Sequence, residues 1–175
     1  MLNGVPKKMQ VEFNYLKKEF EDVREIFEDW NDLIVSSEFT LGPFLEKFEK
    51  KFSSAIGSKH CIAVNNGTDA LILALKAAGI GHGDEVITVT NTFYATVGAI
   101  VAVGAVPVLV DCDPRYQIDP DEIEGAITPK TKAIMPVHWG GASPEMEKIM
   151  AISQSYKITV IEDACMGIGG HINGK

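Results

Sequence analysis

Three places in this 175-residue sequence put a polar or aromatic side chain where it could do chemistry. Gly67-Thr68 follows the apolar run Cys61-Ile62-Ala63-Val64 and precedes the helical run ALILALKAAG. A strand-to-helix turn of this kind aims free N–H groups and the positive end of a helix dipole outward, which suits an anion and most simply a phosphate. Gly67 lets the backbone approach closely, and the Thr68 hydroxyl adds a donor. The same residues also fit a Thr N-cap with a turn glycine, and neither the dinucleotide fingerprint nor a Walker-type lysine loop is present. Asp163 ends the apolar run Ile158 to Ile161, where its carboxylate can hold a pyridinium nitrogen protonated or simply cap a helix. Phe93, between a strand and a helix, can stack on a flat ring or belong to the core.

The elements that must position these residues alternate. Residues Glu85 to Val89, Val106 to Val110, Lys132 to Val137 and Ile158 to Ile161 read as strands, with Cys61 to Val64 as a further short buried one. Between them lie helices over ALILALKAAG, closed by Gly79, over Ala95 to Val103, from Asp119-Pro120 through Ile127, and after Ser143-Pro144-Glu145 with Met146, Ile149 and Met150 facing inward. Strands separated by helices, without polar alternation, predict an α/β fold with a mostly parallel sheet covered on both faces. Ligands then gather beyond the carboxyl ends of the strands, where Thr68, Phe93, His138 and Asp163 all fall.

Upstream, Phe13, Leu16, Phe20, Val23, Phe27 and Trp30 form the stripe of an amphipathic helix over about Val11 to Val35. Gly42-Pro43 starts another helix, which carries Phe44, Leu45, Phe48 and Phe52 on one face up to Gly57 and reads as core rather than a ligand box.

Composition limits the function. The net charge is −8, with 24 acidic against 16 basic residues and no basic stripe, which argues against nucleic acid as a partner. Cys61, Cys112 and Cys165 are far apart and lack zinc spacing, so they read as reduced, buried thiols of a cytoplasmic protein, with no metal. The start MLNGVPKKMQVEFN lacks the apolar region of a signal peptide. The uncharged stretch Ile87 to Val110 is long enough to suggest a membrane span, but Asn91, Thr92, Gly98, Gly104 and Pro107 interrupt it, so it parses as strand, helix and strand.

The strings FTLGPFLEKFEKKF, NNGTDALILAL, GDEVITVTNTFYATVGAI, GAVPVLVDCDP, AIMPVHWGG and VIEDACMG occur in the order and spacing of the DegT/DnrJ/StrS-type sugar aminotransferases. The sequence resembles that family over essentially its whole length. The resemblance implies the pyridoxal-phosphate (PLP) fold type I, with residues 1–42 as an N-terminal helical segment and 43–175 as the first part of the large cofactor-binding domain. It puts the family's phosphate loop on Gly67, Thr68 and Asp69, its ring-stacking aromatic on Phe93 and its pyridinium carboxylate on Asp163. His138 matches the pattern without an assigned role. Family members commonly carry Gln or His three residues after the Asp, at the cofactor's phenolic oxygen. Here Met166 stands there, at best a weak acceptor.

The resemblance implies amino transfer, from glutamate, to a keto group on a nucleotide-linked sugar, in amino-sugar or cell-surface polysaccharide biosynthesis, by a homodimer. It also puts the catalytic Schiff-base lysine beyond Lys175, together with the rest of the large domain and a small domain, so the chain alone is expected to be inactive. Two readings of other classes stay open. One is a PLP sugar dehydratase with histidine in place of that lysine; the other is a non-catalytic or regulatory homologue.

Overall fold

The computed structural model describes residues 16–172, in two compact units divided between Phe48 and Glu49. The first unit contains α1 (Leu16–Glu19), α2 (Arg24–Ser36) and the start of α3 (Pro43–Ala55). The single helix expected over Val11 to Val35 is thus two. The break falls where the Asp22 carboxylate pairs with the Arg24 guanidinium at 2.8 Å and also accepts from the Arg24 amide, turning the chain before α2. Phe13 lies outside the described residues. Along α2, Phe27, Trp30 and Ile34 remain exposed, and the rings of Phe27 and Trp30 meet edge to face with centroids 5.6 Å apart. Pro43 starts α3 as expected. The aromatics of α3 are not full core: Phe44 and Phe52 are half-buried and Phe48 is exposed.

The second unit is an α/β layer structure. After α4 (Gly67–Ala77) come β1 (Glu85–Val89), α5 (Tyr94–Ala102), β2 (Val106–Val110), α6 (Pro120–Ala126), β3 (Thr131–Met135), α7 (Met146–Tyr156) and β4 (Thr159–Val160). The sheet order is β2-β1-β3-β4, and every pair is parallel. The strand period of two sorts side chains to opposite faces. Val86, Ala133 and Met135 pack on one face with Leu71 and Leu75 of α4 and Ala99 and Ile100 of α5. Ile87, Val89 and Ile134 pack on the other with Ile123 of α6 and Ile149 of α7. Side chains such as Ile87, Ile134 and Ile149, fully removed from water, each contribute roughly 1.5–3 kcal/mol. The apolar stretch Ile87 to Val110 resolves into β1, α5 and β2, and no helix among the described residues is long and apolar enough to cross a membrane.

Several local expectations need correction. Cys61 to Val64 forms no strand, because no neighbouring strand pairs with it among the described residues; Ile62 is 79% exposed, and the Ala63 amide bonds the Glu49 carboxylate at 2.8 Å instead. Ser143 does not cap α7, whose N-cap position is Glu145; the Ser143 hydroxyl is buried without a hydrogen-bond partner among the described residues. Met150 is exposed, since only Ile149 and its neighbours one turn away reach the sheet. The three cysteines are free but not buried as expected: Cys61 and Cys112 are half-buried, and Cys165, in the strand-end turn, is exposed.

Helix ends follow their sequence signals more closely. Asp119 accepts from the Asp121 amide at 3.0 Å and Pro120 takes the first helical position of α6. At the end of α4, Gly79 stands at φ +74°, its amide bonds Lys76 O and the Ile80 amide bonds Leu75 O, the paired arrangement of a Schellman turn. A Cβ on Gly79 would meet nothing within 4 Å, so a substitution there tests backbone strain alone. Gly79→Ala is expected to destabilise by about 1 kcal/mol, the left-handed penalty partly offset by a less flexible unfolded chain, and Gly79→Asn by less. Denaturant midpoints at unchanged slope measure this, and equal midpoints for wild type and Gly79→Ala would contradict it.

Candidate active site

Parallel strands deliver their ends to one edge, and the strand-end segments there enclose a pocket of about 430 Å³. It is lined by Gly67 and Thr68 from the start of α4, Phe93 from the start of α5, and Asp163 and Met166 from the turn after β4. Five of the six residues singled out for cofactor binding are thereby brought together. Asp69 is not in the lining. Its amide donates to Asn66 Oδ1 at 2.9 Å, and its carboxylate accepts from Asn66 Nδ2 at 3.0 Å.

Asn66, then, is the N-cap of α4, and Thr68 is not. The consequence is chemical: with Asn66 serving Asp69, no acceptor among the described residues meets the amides of Gly67 or Thr68. Those donors and the Thr68 hydroxyl remain at the pocket wall, at the positive end of an eleven-residue helix. Phe93 is the residue before α5 and is 58% exposed, which excludes the core reading. Its ring leans on Tyr94 with centroids 4.2 Å apart and planes at 49°. Met166 is exposed at the same pocket and offers only a thioether.

The β3–β4 ladder continues one step past its strands. Pro136, with no N–H of its own, contributes a carbonyl to the Asp163 amide at 2.9 Å, and the His138 amide returns a bond to Asp163 O at 3.0 Å. Asp163 Oδ2 accepts from Thr96 Oγ1 at 2.7 Å, and Thr96 Oγ1 lies 2.7 Å from Thr92 Oγ1. Neither threonine was singled out in the sequence. Buried Gln117 is another such residue: its amide donates to Trp139 O at 2.9 Å and accepts from Trp139 N at 3.2 Å, fixing the loop after His138. The only signals were a threonine one helical turn after Thr92 and a glutamine amid apolar neighbours, and neither points at a partner far along the chain.

Asp163 and Glu162 serve different neighbours. Glu162 Oε2 meets His138 Nε2 at 2.7 Å, with side-chain exposures of 47% and 11%. The His138 hydrogen bond holds the Glu162 carboxyl below its ordinary range, against partial burial that would raise it. The loop carrying Met166 is closed onto this pair: a Cβ on Gly167 would stand 2.9 Å from His138 Cβ, so only glycine allows the approach. A carboxyl whose folded pKa is depressed stabilises the fold above its unfolded pKa, and that contribution is lost as pH falls through the lowered value. Glu162→Gln is expected to flatten the fall in unfolding stability as the pH drops through and below the ordinary carboxylate range. Denaturant titrations at stepped pH read the slope; a slope identical to wild type would exclude the pair from acid stability.

Known proteins resemble the chain in sequence and in fold. The sequence pattern of the DegT/DnrJ/EryC1/StrS aminotransferase family matches residues 21–175. The chain is 46% identical over 150 residues to the 3-oxo-glucose-6-phosphate:glutamate aminotransferase of Bacillus subtilis (strain 168), covering 85% of this chain and 34% of that protein. It is 45% identical over 169 residues to a pleiotropic regulatory protein of Geobacillus stearothermophilus, covering 95% of this chain and 45% of that one. Among solved structures, NtdA from Bacillus subtilis with bound cofactor PMP matches with a TM-score of 0.86 and 42% identity, over 94% of this chain and 39% of that one. The chain spans less than half the length of each of these relatives. By sequence and by fold, it belongs to the DegT/DnrJ/EryC1/StrS aminotransferase family.

Proposed function

We infer that this chain forms the PLP-holding part of an aminotransferase that moves an amino group from glutamate to a keto group on a nucleotide-linked sugar, for amino-sugar or polysaccharide biosynthesis. The observation that carries the reading is the donor set of one pocket: uncapped amides at the start of α4, an exposed aromatic ring and a strand-end carboxylate. That set fits PLP chemically. Gly67 and Thr68 would take the phosphate, with Asp69 holding the turn through Asn66; Phe93 would lie along the ring, and Asp163 would face the ring nitrogen. The 46%-identical relative named for glutamate supports that donor.

When bound, the cofactor supplies an electron sink for the carbon that carries the amino group. This chain's residues supply position and charge. The α4 amides would hold the phosphate end by hydrogen bonds. Asp163 would favour a proton on the ring nitrogen by offering a negative charge beside it. Met166 would offer the phenolic oxygen no strong donor from its side chain. The lysine that would hold the cofactor covalently belongs, on this reading, to sequence beyond Lys175, and the domain that 43–175 begins is completed there.

Asp163→Asn keeps the shape of the side chain and removes its charge. In the longer protein to which this chain would belong, turnover is expected to fall by about two orders of magnitude or more, equivalent to roughly 2.7 kcal/mol of barrier, while PLP stays bound through the α4 turn. Steady-state assays with a keto nucleotide-sugar and glutamate, beside cofactor absorbance, read both; near-normal turnover would leave Asp163 a structural cap.

The same reading makes the parent a cytoplasmic homodimer. The three free cysteines suit a reducing setting. The exposed row Phe27, Trp30 and Ile34 on α2 supplies an apolar face for a second copy. Trp30→Glu in that longer protein is expected to shift sedimentation from dimer toward monomer; a fully active monomeric wild type would refute the assembly.

A further inference from the structure

Resting on the functional reading above, we propose that Thr96 is a positioning residue for Asp163, and that Thr92, Thr96 and the Asp163 carboxylate form a one-directional hydrogen-bond relay that aims Asp163 at its ligand. Thr96 is fully buried at the third position of α5, yet its hydroxyl does not bond back to the carbonyl one turn earlier, the common use of a helical threonine. It bridges two side chains instead. One is Asp163 Oδ2, 67 residues away in sequence; the other is the Thr92 hydroxyl, each at 2.7 Å.

Proton counting gives the relay its direction. Each hydroxyl has one proton, and an ionised carboxylate can only accept. Thr96 therefore spends its proton on Asp163 Oδ2 and has none for Thr92, so Thr92 donates to Thr96. Aligned bonds of this kind strengthen one another away from water. The two carboxylate oxygens become unequal. Oδ2 is fixed by a short bond, whereas Oδ1 receives, among the described residues, only a long 3.4 Å contact from the Cys165 amide and keeps its accepting capacity. The terminal torsion of an aspartate is otherwise broad, so the bond to a buried helix residue is what sets the plane of the carboxylate. Thr92, unlike Thr96, lines the pocket, so the outer end of the relay lies where a ligand would be felt.

The test uses the longer protein loaded with PLP labelled with 15N in its ring, whose chemical shift reports protonation of the ring nitrogen directly. Thr96→Val is expected to move that signal toward the unprotonated position and to lower kcat about tenfold with little change in the KM for sugar, as for loss of one hydrogen bond to a charged group. Thr96→Ser should restore both. Thr92→Val should move the signal the same way by less, and should add nothing in an Asp163→Asn background, since the relay then has no charge to serve. A folded Thr96→Val protein with the wild-type signal overturns the relay. Should Thr96→Val fail to fold, Thr92→Val decides: a silent signal, or a full effect retained in the Asp163→Asn background, overturns it. If Asp163→Asn itself leaves the ring signal unchanged, the functional reading fails, a result distinct from a silent Thr96→Val beside a responsive Asp163→Asn.

Discussion

Parallel strands all finish on one side of their sheet, and the hydrogen-bond ladder between β3 and β4 decides how far past that edge each chain is still controlled. Here the control extends to Asp163. Pro136 O and the His138 amide hold the backbone of Asp163 between them, so the residue is positioned as rigidly as the strands although it belongs to neither. Thr88, near this edge on β1, adds a buried bond from its hydroxyl to Met135 O at 2.8 Å, tying β1 to the last residue of β3. With the strand ends fixed, the starts of α4 and α5 can bring Thr68 and Phe93 to the same pocket without long loops. A pocket built on strand and helix ends is more exact than one built on loops alone.

Legibility from sequence followed the range of the interactions. Each strand and helix of the α/β alternation, and the Asp119 cap, is a local pattern of period or turn chemistry, and the parallel sheet followed from their order along the chain. Asp163 was readable because one apolar run pointed at it. The Thr N-cap held open as an alternative at α4 lies two positions from the actual cap, since Asn66 and Thr68 are both good caps and the backbone at Asn66, extended at φ −162°, separates them. Cys61 to Val64 shows the converse failure: β-branched and apolar residues express a readiness to pair, but a strand exists only where a neighbour supplies the ladder. Thr96 and Gln117 were invisible because their partners, Asp163 and Trp139, lie 67 and 22 residues on, and no period links them.

The two carboxylates at the end of β4 show how neighbouring residues of similar chemistry are kept apart. Successive side chains of an extended segment point to opposite sides, so Glu162 and Asp163 cannot share a partner. Glu162 goes to His138 and Asp163 to Thr96. The difference in partner matters more than the difference of one methylene. An imidazole can carry a compensating charge and leaves Glu162 committed to structure, whereas a hydroxyl orients Asp163 without neutralising it. A cation paired with Asp163 would have stabilised the carboxylate equally well, but it would also have competed with any protonated nitrogen for the same charge.

The turn that follows carries this logic into the departure at Met166. Its backbone is confined on two sides: Gly167 lies against the His138 ring, and a Cβ on Gly141 would stand only 3.0 Å from Met166 O. Glycines at both contacts let the turn sit closer to the His138 loop than side chains would permit, while the Met166 side chain remains exposed at the pocket. The path of the turn is therefore set by main-chain contacts and by His138, none of which depends on the identity of residue 166. A thioether can replace a polar side chain there without moving Asp163, because the bonds from Pro136, His138 and Thr96 reach Asp163 before the turn begins. The position of the Asp163 carboxylate and the chemistry of the side chain at residue 166 are thus separable in this fold, although both line one pocket.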